Sequence, residues 1–116
     1  MKHSVGKTLT AGTANTVLLV PAGYKAIVYV LFISNLDGNN KTTTAYWQHA
    51  HDATHKIYII DNYPMSAHSF IQFSSGEVVF QAGDSLIVTP EAGASQTVIV
   101  TFDLIKEASV PYIADN

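Results

Sequence analysis

The chain is predicted to fold as an antiparallel β-sandwich, in the jelly-roll form of about eight strands, with extended arms at both ends. Three observations lead there. No window repeats apolar residues at the i, i+3, i+4, i+7 spacing long enough for a helix. The last apolar stretch alternates strictly, with Val98, Val100, Phe102 and Leu104 on one face and Thr97, Ile99, Thr101 and Asp103 on the other. Turns rich in Gly and Pro punctuate the chain at short, near-regular spacing.

The elements follow in order. Residues 15–20 form a strand stopped by Pro21-Ala22-Gly23, where Pro presets one dihedral and Gly accepts a positive one. Residues 24–35 form a long strand ended by Leu36-Asp37-Gly38-Asn39-Asn40. Strands at 42–50 and 56–62 flank a polar corner at 51–55, and Tyr63-Pro64 ends the second of them. Strands at 67–73, 77–81, 85–89 and 96–105 are separated by Ser74-Ser75-Gly76, Ala82-Gly83-Asp84 and Pro90-Glu91-Ala92-Gly93. Residues 1–14 and 106–116 read as arms around one domain at 15–105. Nothing around the two similar Pro-Gly turns repeats at a fixed period.

Composition narrows the function classes. The chain's 116 residues, 47% of them hydrophobic and 13% charged, suit one domain with a core of its own and exclude a disordered chain. Without cysteine there is no disulfide framework and no thiolate nucleophile. Six Lys, no Arg and a net charge of -3 argue against nucleic acid and against anionic membranes, which a basic footprint would serve. The apolar run at 26–33 is far shorter than the roughly 20 residues of a membrane-spanning helix. Ser4-Val5-Gly6-Lys7-Thr8 interrupts any apolar signal segment, so the expectation is a protein made and used without Sec export.

The strand at 24–35 is apolar on both faces. Strict alternation assigns Ile27, Tyr29, Leu31 and Ile33 to one face and Ala26, Val28, Val30 and Phe32 to the other. A sandwich core meets only one face, so the second is expected to bury against a partner or another copy of the chain. Residues 56–60 repeat this pattern on a shorter strand.

Ligand chemistry is concentrated at Gln48-His49-Ala50-His51-Asp52-Ala53-Thr54-His55. Continued alternation would put His49 and His51 on one face, with His55 and Asp52 reaching round, as candidate metal ligands; the other reading is a solvated polar corner. Trp47 and Tyr63 are candidates for stacking on a ligand such as a sugar, against the commoner role of aromatics in a core or interface. No Gly-x-Ser-x-Gly elbow, Gly-rich phosphate loop or His-Glu-x-x-His motif occurs, so no catalytic residue is assigned, no cofactor is expected and a non-enzymatic protein is expected.

Residues 16–28, Thr-Val-Leu-Leu-Val-Pro-Ala-Gly-Tyr-Lys-Ala-Ile-Val, resemble the opening of small tailed-phage virion proteins. The likeness continues in Ile33-Ser34-Asn35, in Ala82-Gly83-Asp84-Ser85-Leu86 and in the closing strand from Thr97 to Leu104. The resemblance spans roughly residues 15–105 and rests on turn signatures that other β-sandwiches can share. It implies a sandwich that assembles, often as a homotrimer, on the capsid as a decoration or cement protein. A tail or adaptor component, or a receptor- or glycan-binding module, is the alternative. The implied partners are sister copies and the major capsid protein or another virion protein, with the virion, assembled in the host cytoplasm, as the location. The expected interface comprises Ala26, Ile27, Val28, Tyr29, Val30, Leu31, Phe32 and Ile33 with Tyr112 and Ile113 of the C-terminal arm. The His corner is not part of the family's pattern.

Overall fold

The computed structural model describes residues 2–50, 52–74 and 78–107. Nine strands lie among them: β1 (Lys2–Thr8), β2 (Asn15–Leu19), β3 (Tyr24–Asn35), β4 (Lys41–His49), β5 (Asp52–Met65), β6 (Ser69–Phe73), β7 (Val78–Phe80), β8 (Ser85–Pro90) and β9 (Gln96–Lys106). They form two antiparallel sheets packed as a β-sandwich. One sheet runs β1-β9-β3-β6, with β7 also on β3, and the other runs β2-β8-β4-β5.

The pairing is nested. The first strand pairs with the last, β2 with β8, β3 with both β6 and β7, and β4 with β5. The chain is thus one ribbon folded back at the β4–β5 hairpin, and the pairs β3 with β9 and β4 with β8 roll it into two layers. Strands β6 and β7 lie end to end along one edge of β3, facing Leu31–Asn35 and Ala26–Val28 respectively.

Between the sheets, Phe80, Ile33, Leu86, Val88, Val98 and Val100 are almost completely buried. Each contributes about 1.5–3 kcal/mol relative to exposure. The strict alternation of β9 is borne out, with Val98, Val100 and Phe102 in the core.

The alternation of β3 is not. Its pairing with β9 shifts between Val28 and Val30, a β-bulge that places one extra residue on β3. Downstream of it the faces exchange: Ala26 and Val28 point into the core, and so do Leu31 and Ile33. Ile27, Tyr29, Val30 and Phe32 belong to the outward side and are half-buried. The expected interface set is corrected accordingly, since Ala26, Val28, Leu31 and Ile33 already face the opposite sheet.

Other boundaries moved as well. Part of the expected N-terminal arm, Lys2–Thr8, is β1, hydrogen-bonded along β9. The polar corner expected at 51–55 shrinks, because β5 starts at Asp52 and runs to Met65. The expected residues His51, Ser75, Gly76, Glu77, Tyr112 and Ile113 lie outside the described residues.

Candidate functional site

Two surfaces stand out. On the outward side of the first sheet, Phe32 sits opposite Ile99 of β9, and its ring stacks on Phe70 of β6 with centroids 4.9 Å apart. Ile99–Phe32–Phe70 is therefore a continuous apolar row across three strands, ending at Phe70, which is 60% exposed. A second row crosses Ile27 and its partner Val79. Between the rows lies a polar patch. The Tyr29 hydroxyl donates to Asp103 Oδ2 at 2.8 Å, and Lys2 Nζ lies 4.5 Å from the centre of the Tyr29 ring. The Tyr29 hydrogen bond is the main reason that the Asp103 carboxyl is held below its ordinary value, with Lys2 adding a smaller effect.

The second surface is a cleft of about 800 Å³ between the sheets, on the side where β5 forms one edge and β6 and β7 form the other. Its walls include Leu31, Trp47, Ile57, Phe73, Val78 and Leu86, with Gln72 and Ser74 as polar contributors. Phe73 and Val78 pair with the core-facing Leu31 and Val28, so they point inward, as does Ile57 opposite Trp47. Ile57 and Val78 nevertheless remain 52% and 55% exposed. The sheets splay here, and inward-facing apolar side chains meet space instead of each other.

Asp84 holds the end of this cleft together. Its buried carboxylate accepts from the Trp47 indole N–H (3.0 Å), the Ala50 backbone N–H (3.0 Å) and the Gln81 backbone N–H (2.8 Å). The β4–β5 hairpin is thereby fastened to the turn between β7 and β8. Gly83 in that turn has φ 86°, and a Cβ there would lie 2.7 Å from the Ala50 Cβ, so the turn and hairpin approach as closely as glycine allows. The same turn bonds to the one after β2: Val20 N–H donates to Asp84 O and Gly83 N–H to Val20 O. The Val-Pro-Ala-Gly and Ala-Gly-Asp-Ser-Leu turns, far apart in the chain, are one structural unit.

Trp47 and Tyr63 part ways. Trp47 is half-buried in the cleft wall with its N–H engaged by Asp84. Tyr63 lies exposed on β5, opposite Thr43. Of the three histidines, His49 and His55 stack at 5.5 Å with 12° between their planes, and both rings meet Trp47 edge-on. His51 lies outside the described residues, and among those described no group of three or more His, Asp or Glu is placed to hold a metal ion. Beside the pair, Asp52 accepts from the Thr54 hydroxyl and backbone N–H, which pull its carboxyl below the ordinary value; His55 and His49 add a smaller pull.

Sequence reasoning missed Phe70, Ile99, Val78 and Asp84 as parts of these surfaces. For Ile99 there was a signal, an apolar residue on the polar side of an alternating strand. For Asp84 the signal was its place in a turn signature. No protein-family model matches this chain, and no curated protein sequence matches it.

Proposed function

We propose that this protein is a non-enzymatic structural component of a phage virion, of the decoration or cement kind, which docks through the outward side of its first sheet. The observation that carries the reading is the Ile99–Phe32–Phe70 row, an exposed apolar strip on a sheet whose core side is already satisfied. The nested strand pairing supports the jelly-roll form of the sandwich, because a ribbon folded once and rolled into two layers gives that strand order. The resemblance of the two turn signatures to tailed-phage virion proteins supports the virion assignment, and their packing against each other supports reading them as one unit.

Mechanically the protein acts as a clamp. Its apolar rows bury against sister copies or shell subunits, with interfaces of about 1,200–2,000 Å² each, and many such contacts act together across a particle. The polar patch of Tyr29, Asp103 and Lys2 between the rows fixes the register of docking.

Light scattering after size exclusion, paired with binding to phage particles, tests this. The wild type is expected as an oligomer that binds particles, and Phe70→Asp as a folded monomer that does not. A monomeric wild type without particle binding would sink the proposal.

A further inference from the structure

The cleft between the splayed edges is built as a pocket and not as a face. It is recessed between two layers, with the buried Leu31 and Leu86 at its floor, so only a slender body can reach its apolar depth. Its volume of about 800 Å³ falls within the roughly 300–1,000 Å³ of small-molecule sites. One wall is preformed, because Asp84 holds the Trp47 indole N–H at 3.0 Å. The strands that flank the opening are poor templates for an added strand: β7 has three residues, and the pairing of β5 with β4 shifts register at three places.

The chemistry of the walls selects the ligand. Among the described residues that line the cleft none is charged, so a carboxylate, phosphate or ammonium group would enter without a counterion. Apolar side chains dominate, with aromatic rings from Trp47, Phe73 and Phe80. Gln72 and Ser74, near the end of β6, are neutral hydrogen-bonding groups. We propose that the cleft binds a neutral amphiphile, a single hydrocarbon chain with an uncharged, hydroxyl-bearing head, its chain along Leu31, Ile57, Val78 and Leu86 and its head at Gln72 and Ser74. Ile57 and Val78, which point inward yet are 52% and 55% exposed, are the side chains that such a ligand covers. This site is separate from the docking side of the first sheet and does not rest on that reading.

N-Phenyl-1-naphthylamine, a neutral dye that brightens in apolar surroundings, is the probe. Trp47 is the chain's single tryptophan and lies in the cleft wall, so energy transfer from it to the dye reports binding there. The full-length wild type is expected to take up one dye per chain, to release it to 1-decanol and to keep it against decanoate at the same concentration. A lysine in either wall, by Val78→Lys or Ile57→Lys, is expected to weaken dye and decanol binding about tenfold and to make decanoate the better competitor, at unchanged circular dichroism. Phe70→Asp, on the docking side, is expected to leave uptake unchanged, so the two proposals fail separately. Decanoate competing as well as decanol in the wild type, or uptake insensitive to both lysine variants, would overturn the proposal. Absence of uptake would overturn it too, in favour of cover by the chain's own remaining residues where the solution mass is that of a monomer, and by a second copy where it is larger.

Discussion

The two open sides of the sandwich face the same physical problem and solve it differently. On one side, β1 forms the edge of the first sheet beside β9, and every residue from Lys2 to Thr8 is exposed. Its inward positions, opposite Phe102, Val100 and Val98, are His3, Val5 and Lys7, so only one of the three is apolar. Lys7 Nζ reaches across to Thr16 O at 3.2 Å. The connection behind it is closed by Asn15, whose side chain accepts from Thr10 N–H and donates towards the carbonyls of Thr10, Thr13 and Val88. On the other side, β5 and β7 bring Ile57 and Val78 to the gap, and Asp84 fastens the layers at one end. A sandwich margin lined with polar residues can stay wet, whereas one lined with apolar residues invites cover.

Substitutions can break this contrast, beginning with its fastenings. Asp84→Ala orphans three N–H donors and is expected to cost about 3–5 kcal/mol, read as a fall in denaturation midpoint. If the loss were under about 1 kcal/mol, the carboxylate would not be what fastens that end. Asn15→Ala on the polar side is expected to cost less, about 2 kcal/mol, in the same urea titration. Gly83→Ala, forced to positive φ against Ala50, is expected to lose about 2 kcal/mol, which thermal melts would register.

The smaller effects sharpen the contrast. Val5→Lys is expected to change stability by less than about 0.5 kcal/mol, because its position is already solvated. The same change at Ile57, beside Trp47, is expected to cost about 1 kcal/mol and to shift the tryptophan emission. Unequal responses at two comparably exposed sites would locate the apolar demand on the β5 side.

Acid provides a further probe. Asp103 has a carboxyl held below its ordinary value in the fold, mainly by Tyr29, and Glu91 by the Thr42 N–H. Such groups stabilise the native state above the ordinary carboxylate pKa of about 4 and lose that contribution as pH falls through the lowered native value. Asp103→Asn is therefore expected to flatten the acid limb of a stability-versus-pH profile, and Tyr29→Phe to flatten it in the same direction.

Much of the fold was legible in the residues. The alternation of Val98, Val100 and Phe102 specified a one-sided strand, and Pro21, Gly23 and Gly83 marked turns where the chain does turn. The faces of β3 were not legible, because a bulge inserts a residue without leaving a mark in an all-apolar run; parity was right up to Tyr29 and inverted after it. β1 was missed for the opposite reason: with every side chain exposed, its residues carry no hydrophobic period, and backbone pairing to β9 alone makes it a strand. The cleft was hidden too, since splaying of two layers is a property of their distance apart, not of either strand's pattern.

The nested pairing also governs how the molecule comes into being. The β4–β5 hairpin can close as soon as its own residues are available, but β3 waits for β6 and β7, β2 for β8, and β1 for the very last strand. Loop closure must precede reward at each step, the topology that places small β-proteins in the millisecond-to-second range of folding times. Of the nine described strands, β1 is made before the others and finds its partner, β9, last.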